Sequence, residues 1–121
     1  MEVLVVEDDA TLRRALCKEL EISGIDVESA SDGKEGLKLA LEHKPKLILL
    51  DLLMPEMDGH KVLEHLRKDT WGKDADVIVL SNTDDYDSVY KTMEKSVNDY
   101  FVKADTSIKK LASIVKQRIG K

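Results

Sequence analysis

Acidic side chains follow two short apolar runs of this sequence. Three consecutive acids, Glu7 to Asp9, come directly after the run VLVV, and Asp51 ends the run LILL. Continuous apolar runs of this length are typical of strands that are buried on both faces, as in a parallel sheet. The carboxyl ends of such strands are where open α/β sheets bind their ligands. The acids therefore predict chemistry at one edge of a sheet.

A hydroxyl and an ammonium group stand at two further strand ends. Ser81 follows the apolar run VIVL, and Lys103 ends a predicted strand that begins at Asp99. Clustered carboxylates repel one another unless a cation lies among them. Oxygen ligands in a shallow, hydrated site suit Mg²⁺ better than Ca²⁺. The alternative is that these acids only cap helices. That explanation suits any single acid, but it is weaker for the whole set, because four separate strand ends would have to carry polar residues by accident.

Helical spacing of apolar residues follows each predicted strand. Asp9 or Thr11 is expected to cap the first helix, Gly24 to end it, and Thr106 to cap the last. The segment IDVESA alternates in polarity and predicts a strand near a sheet edge. Five strands alternating with five helices predict an α/β fold with a parallel sheet, helices on both faces and right-handed crossovers.

Composition narrows the range of partners and compartments. The chain has 121 residues and a net charge of −5, which argues against nucleic acid or an acidic membrane surface as a direct partner. No apolar run approaches the ~20 residues that a membrane span needs. The single cysteine, Cys17, and the lack of a signal-peptide pattern favour the cytoplasm. We expect one domain over residues 1–121, with no output domain in this chain.

Four motifs together resemble the receiver domain of bacterial two-component response regulators, over nearly the whole chain. They are VVEDD at residues 5–9, LDLLMPEMDG at 50–59, VLS at 79–81 and YFVK at 100–103. The resemblance implies a doubly wound, flavodoxin-like (βα)₅ fold with strand order 2-1-3-4-5. It also implies a single-domain regulator similar to those of chemotaxis.

The resemblance implies a phosphorylation site. Asp51 matches the phosphoacceptor, which receives a phosphoryl group from a phosphohistidine of a sensor histidine kinase or a phosphotransfer protein. Asp8 matches a direct Mg²⁺ ligand, and Glu7 one that acts mostly through water. Asp51 and the backbone carbonyl of Leu53 would complete the protein ligands, and Lys103 would offset charge on the transferring oxygens.

The resemblance also implies a switch. Ser81 matches the switch hydroxyl and Tyr100 the switch aromatic. They would act on a face formed by the fourth predicted helix, the fifth strand and the fifth predicted helix. That face would bind a downstream protein or a second copy, so a monomer or weak homodimer is expected. The chain would catalyse its own phosphorylation and dephosphorylation and turn over no external substrate.

Three residues depart from the family pattern, and three other functions compete. Asn82 stands where a small residue is common. Ala104 replaces the usual proline after Lys103, so a trans peptide is expected there, because a cis bond before a non-proline costs ~3 kcal/mol. The apolar Leu53 predicts slow self-dephosphorylation.

Leu53 also argues against a dehalogenase-type phosphatase, which needs an acid at that position. A flavodoxin-like cofactor is excluded because the acids after the first strand repel phosphate. A docking module that works without phosphorylation remains as the alternative.

Overall fold

Five parallel strands form one sheet in the order β2-β1-β3-β4-β5, as expected. The structure is a computed structural model and describes residues 1–54, 57–82 and 97–121. The strands are β1 (Val3–Val6), β2 (Val27–Ala30), β3 (Leu47–Asp51), β4 (Val77–Ser81) and β5 (Asp99–Val102). The helices are α1 (Ala10–Ile22), α2 (Gly33–His43), α3 (Gly59–Lys68) and α4 (Ile108–Arg118).

The helix predicted after the fourth strand lies outside the described residues. In the sequence, Tyr86, Tyr90 and Met93 line up on this helix and would form part of the face that binds a downstream protein, here called the output face. That part of the output face stays a prediction. In the part of the chain that the structure describes, no helix is both long and apolar enough to cross a membrane.

Helices cover both faces of the sheet, which explains the solid apolar runs. Alternate residues of β1, β3 and β4 pack on one side against α2 and α3, and the others pack on the opposite side against α1 and α4. Every residue of these three strands is buried, whereas the outer strands β2 and β5 are mostly half-buried or exposed. The prediction of buried central strands and a wetter second strand is therefore confirmed.

The parallel register brings the carboxyl ends of the central strands together. Val6 of β1 is level with Leu50 of β3, and Asp51 is level with Leu80 of β4. Ser81 is in turn level with Val102 of β5. The predicted phosphorylation-site residues and Ser81 therefore stand at strand ends or in the loops just beyond them, on the same edge, whereas Tyr100 lies within β5, level with Val79.

Short turns set where the helices begin. Asp9 caps α1 by accepting hydrogen bonds from the amides of Thr11 and Leu12, at 3.0 and 3.3 Å. The prediction that Thr106 caps the last helix is wrong, because Ser107 does so, accepting from the Lys110 amide at 3.1 Å. The Thr106 amide instead donates to the Lys103 carbonyl, and this hydrogen bond closes the preceding 3₁₀ turn.

The loop after β3 closes tightly at Gly59. The Gly59 amide donates to the Leu52 carbonyl at 2.8 Å, and Asp58 caps α3 through the Lys61 amide. A Cβ atom at Gly59 would lie 2.6 Å from the Leu52 Cα and would overlap the carbonyl oxygen of Asp51. The start of α3 therefore packs directly against the backbone that carries Asp51, and only glycine fits there.

Candidate functional site

Three carboxylates converge at the carboxyl edge of the sheet. Glu7, Asp8 and Asp51 each offer one oxygen, and these oxygens all lie within 4.8 Å of one another. Glu7 and Asp51 are only 2% and 3% exposed, whereas Asp8 is exposed. The cluster is thus buried on one side and open to solvent at Asp8.

Lys103 lies between the two buried carboxylates. Its Nζ is 2.7 Å from Oε1 of Glu7 and 3.4 Å from Oδ2 of Asp51, and its side chain is 14% exposed. The predicted fifth strand is one residue too long, because β5 ends at Val102 and Lys103 begins a 3₁₀ turn. The Lys103–Ala104 peptide is trans, as expected, since the residues that the structure describes include no cis peptide.

The electrostatics of the cluster favour a bound cation. Burial, followed by repulsion from Glu7, raises the pKa of Asp51 to about 7, although Lys103 acts against the shift. Burial alone would lower the pKa of Lys103, but the hydrogen bond to Glu7 and the charges of Asp51 and Glu7 raise it. Lys103 is therefore charged, and one ammonium group faces three carboxylates. An oxygen-only donor set with one exposed member fits a hard, partly hydrated cation such as Mg²⁺.

Backbone amides orient the two buried carboxylates. The Leu53 amide donates to Oδ1 of Asp51 at 3.3 Å, and the Asp9 amide donates to Oε2 of Glu7 at 3.1 Å. The Leu53 side chain is 60% exposed at the mouth of the site. Both oxygens of Glu7 are thus engaged, one by Lys103 and one by its own loop. The role of the Leu53 carbonyl as a metal ligand stays a prediction.

Arg13 is a residue of the site region that sequence reasoning missed. Its Nη1 donates to the Glu7 carbonyl at 2.8 Å and lies 3.4 Å from the Asp8 carbonyl. The available signal was its spacing, because Arg13 lies four residues after the helix cap Asp9 and residues four apart share a face of a helix. Nothing in that spacing shows that the side chain turns back toward the acidic loop.

Ser81 and Tyr100, the predicted switch pair, stand on the neighbouring strands β4 and β5. Ser81 is fully buried at the end of β4, beside the strand that leads into Lys103. Tyr100 is half-buried on β5 and packs against the core cluster on the α2–α3 side of the sheet. Their positions agree with the motif, and their roles as a switch stay predictions.

A shallow groove of about 400 Å³ runs beside the site. The first turn of α1 forms one wall, and Asn82, Lys103, Ala104 and Ile108 form the other. The groove gives an approach to Lys103 from solvent.

The model of the response regulator receiver domain matches residues 3–116 of the chain. The chain belongs to this family. As a receiver domain it is a signalling domain of two-component systems, and its acidic cluster lies where a Mg²⁺ ion could bind.

Curated relatives of this receiver domain include several transcriptional regulators. It is 39% identical over 102 residues to a probable transcriptional regulator, ycf27, of Porphyridium aerugineum, covering 84% of the chain and 41% of the relative. It is 35% identical over 103 residues to the transcriptional regulatory protein HprR of Escherichia coli K12, covering 85% and 45%. The chain therefore spans less than half the length of these relatives.

Solved structures similar to this receiver domain cover nearly all of it. The receiver domain of the Francisella response regulator 1452 is 32% identical with a TM-score of 0.87, covering 97% of the chain and 94% of that structure. The chemotaxis protein CheY4 of Vibrio cholerae has a TM-score of 0.86 at 23% identity, covering 95% of each chain. The second likeness shows the fold alone.

Proposed function

We propose that Asp51 accepts a phosphoryl group from a phosphohistidine of a sensor histidine kinase or a phosphotransfer protein. One observation carries the proposal: a buried carboxylate at a strand end lies within 4.8 Å of two further acids and 3.4 Å from an ammonium group. Solvated acids that only cap helices do not need such a cluster, nor a buried lysine within it.

The transfer makes one bond and breaks one. An oxygen of Asp51 forms a bond to phosphorus while the bond from phosphorus to the donor imidazole nitrogen breaks, and that nitrogen keeps the electron pair. Lys103 stabilises the negative charge on the transferring oxygens. Asp8, Asp51 and the Leu53 carbonyl would hold a Mg²⁺ ion, with Glu7 acting through water, and the ion would add positive charge there. Both favour the ionised form of Asp51 that the attack requires.

Glu7 holds Lys103 in place during this step. The 2.7 Å ion pair fixes the ammonium group next to Asp51. A glutamate at this position is long enough to reach Lys103 while its other oxygen stays bonded to the Asp9 amide. Glu7 therefore contributes by positioning the lysine as well as by adding negative charge.

Phosphorylation is proposed to act on the output face through Ser81 and Tyr100. The Ser81 hydroxyl would donate to a phosphoryl oxygen that exists only after transfer, and Tyr100 would turn inward as Ser81 moves. A contact made in one state only is what a population shift requires. The output face would then bind a downstream protein. With a net charge of −5, we propose protein partners rather than nucleic acid for this domain.

The names and lengths of two relatives support a proposal about what the domain regulates. The ycf27 and HprR proteins are named as transcriptional regulators and are more than twice as long as the matched part. We propose that residues 1–121 form one receiver domain that regulates a partner, whether that partner is a separate protein or another part of a longer chain.

The decisive experiment is intact-mass measurement after incubation with acetyl phosphate and Mg²⁺. We expect the wild type to gain one phosphoryl group and Asp51→Asn to gain none. Asp9→Asn is the matched control, because it removes an acid from the same region and keeps a good helix cap. If the wild type gains no phosphoryl group, or Asp51→Asn gains it equally, the proposal fails and a phosphorylation-independent docking module becomes the better description.

A further inference from the structure

We propose that Arg13 is a positioning residue that holds the acidic loop between β1 and α1 in the shape that brings Asp8 to Asp51. The consequence of this positioning for cation binding rests on the proposed function. The effect of Arg13 on the shape of the loop does not rest on that function, and it can be measured without any cation.

Arg13 contacts three successive backbone carbonyls, two through its side chain and one through its backbone amide. Nη1 of Arg13 donates to the Glu7 carbonyl at 2.8 Å and lies 3.4 Å from that of Asp8. The Arg13 amide donates to the carbonyl of Asp9 at 2.9 Å, within the first turn of α1. Arg13 is itself fixed, because Asp9 caps the helix on which it stands.

These contacts determine where the Asp8 side chain points. The Glu7 and Asp8 carbonyls belong to the two planar peptide units that flank the Asp8 Cα. Fixing both planes fixes the backbone dihedrals of Asp8, and with them the direction of its Cβ. Glu7 has side-chain anchors in Lys103 and the Asp9 amide, whereas the Asp8 side chain is exposed, so its direction relies more on its backbone.

Positioning and charge predict opposite effects of removing Arg13. Loss of a positive charge beside a cation site would by itself tighten Mg²⁺ binding. Loss of a contact that orients a metal ligand would instead weaken Mg²⁺ binding. Such supporting contacts are worth about tenfold or more in metal affinity. The sign of the change in affinity therefore separates the two explanations.

The test compares Mg²⁺ affinity by calorimetry for the full chain and three variants. We expect Arg13→Ala to bind Mg²⁺ about tenfold more weakly than the wild type. Arg13→Lys, which keeps the charge and one donor group, should recover part of the loss. Arg14→Ala is the matched control, because Arg14 is the exposed neighbour with the same charge, and it should bind as the wild type does or slightly more tightly. At saturating Mg²⁺, Arg13→Ala should recover most of its acetyl phosphate reaction rate.

Amide hydrogen exchange in EDTA provides the second readout. The Asp9 amide, which donates to Glu7 Oε2, should exchange several-fold faster in Arg13→Ala. The Glu7 amide, which donates to Ala30 across the sheet, should not change and serves as the internal reference. Unchanged exchange at Asp9, or Mg²⁺ affinity in Arg13→Ala equal to or above that of the wild type, would overturn the inference. If the wild type itself binds no Mg²⁺, the proposed function fails while the exchange result still decides the role of Arg13.

Discussion

The proposed reactivity of the site depends first on one carboxylate, Asp51. It is 3% exposed, and burial together with Glu7 raises its pKa from an ordinary 3.8 to about 7. A protonated carboxyl group cannot attack phosphorus, so the proposed transfer requires positive charge beside Asp51 at neutral pH. Lys103 supplies part of that charge, and a bound cation would supply the rest.

The raised pKa of Asp51 predicts a pH-dependent stability in metal-free protein. Because the folded pKa exceeds the unfolded one, the folded state binds more protons between about pH 4 and 7, and the free energy of unfolding falls as pH rises through that window. Asp51→Asn removes this dependence. We therefore compare the free energy of unfolding of Asp51→Asn with that of the wild type at two pH values. The difference, variant minus wild type, should be about 1–2 kcal/mol larger at about pH 8 than at about pH 5.

Urea denaturation in EDTA at these two pH values measures the effect. Titrating groups away from the site cancel in the comparison because both proteins contain them, so the difference reports on Asp51 together with its neighbours Glu7 and Lys103. Asp9→Asn is again the control and should follow the wild type. An equal pH slope in wild type and Asp51→Asn would show that the Asp51 carboxyl is not perturbed by its surroundings.

Leu53 predicts a long-lived aspartyl phosphate. Its apolar side chain is 60% exposed at the mouth of the site and cannot hydrogen-bond an attacking water. We expect Leu53→Asn to shorten the phosphoryl lifetime about fivefold, as one hydrogen bond of about 1 kcal/mol to that water would allow. Leu53→Met should leave the lifetime unchanged. Radiolabel or intact-mass decay measures it, and a wild-type half-life of only seconds would contradict the prediction.

At the scale of secondary structure, the junction of β3 and α3 fixes the backbone of Asp51. Gly59 begins α3, and its Cα lies against the Asp51 carbonyl and the Leu52 Cα with no room for a side chain. The hydrogen bond from the Gly59 amide to Leu52 closes the loop at the same point. The helix and the strand end can therefore move only together.

Replacing Gly59 by alanine should disturb both stability and function. The added Cβ must displace the end of β3 or the start of α3, which we expect to cost about 2–3 kcal/mol and to slow phosphorylation from acetyl phosphate. Gly24→Ala is the control. Gly24 has φ +82° but an added Cβ there meets no atom within 4 Å, so we expect a cost of about 1 kcal/mol and an unchanged phosphorylation rate.

At the scale of the whole molecule, the site joins distant parts of the chain through the sheet. Asp8 follows β1, Asp51 ends β3 and Lys103 follows β5, and the hydrogen-bonded order β1-β3-β4-β5 holds them on one edge. A cation bound by Asp8 and Asp51 would therefore link two strands that are separated by two helices in sequence. Such a ligand binds the folded state only and must stabilise it.

Mg²⁺ should accordingly raise the free energy of unfolding. At about ten times its Kd the expected gain is about 1.4 kcal/mol, seen as a higher urea midpoint with an unchanged slope. Asp8→Asn should lose most of this gain. KCl at matched ionic strength controls for screening of the −5 net charge. Equal stabilisation of the wild type and Asp8→Asn would place the cation elsewhere.

The sequence by itself determined the elements of this receiver domain and the edge that carries its chemistry. The apolar runs of β1, β3 and β4 follow from local periodicity, and Asp9 is one of the two predicted caps of α1. The structure confirms the strands and selects Asp9. The receiver motifs supplied the strand order, which alternation alone does not specify.

Only the tertiary structure decided which atoms meet. It paired Lys103 more closely with Glu7 than with Asp51, left Asp8 as the exposed acid and turned Arg13 back onto the acidic loop. Strand register, side-chain length and the path of short turns set these contacts, and no local pattern encodes them. The one-residue error at Ser107 has the same origin, since a turn anchored at Lys103 uses the residue that sequence alone assigns to the helix cap.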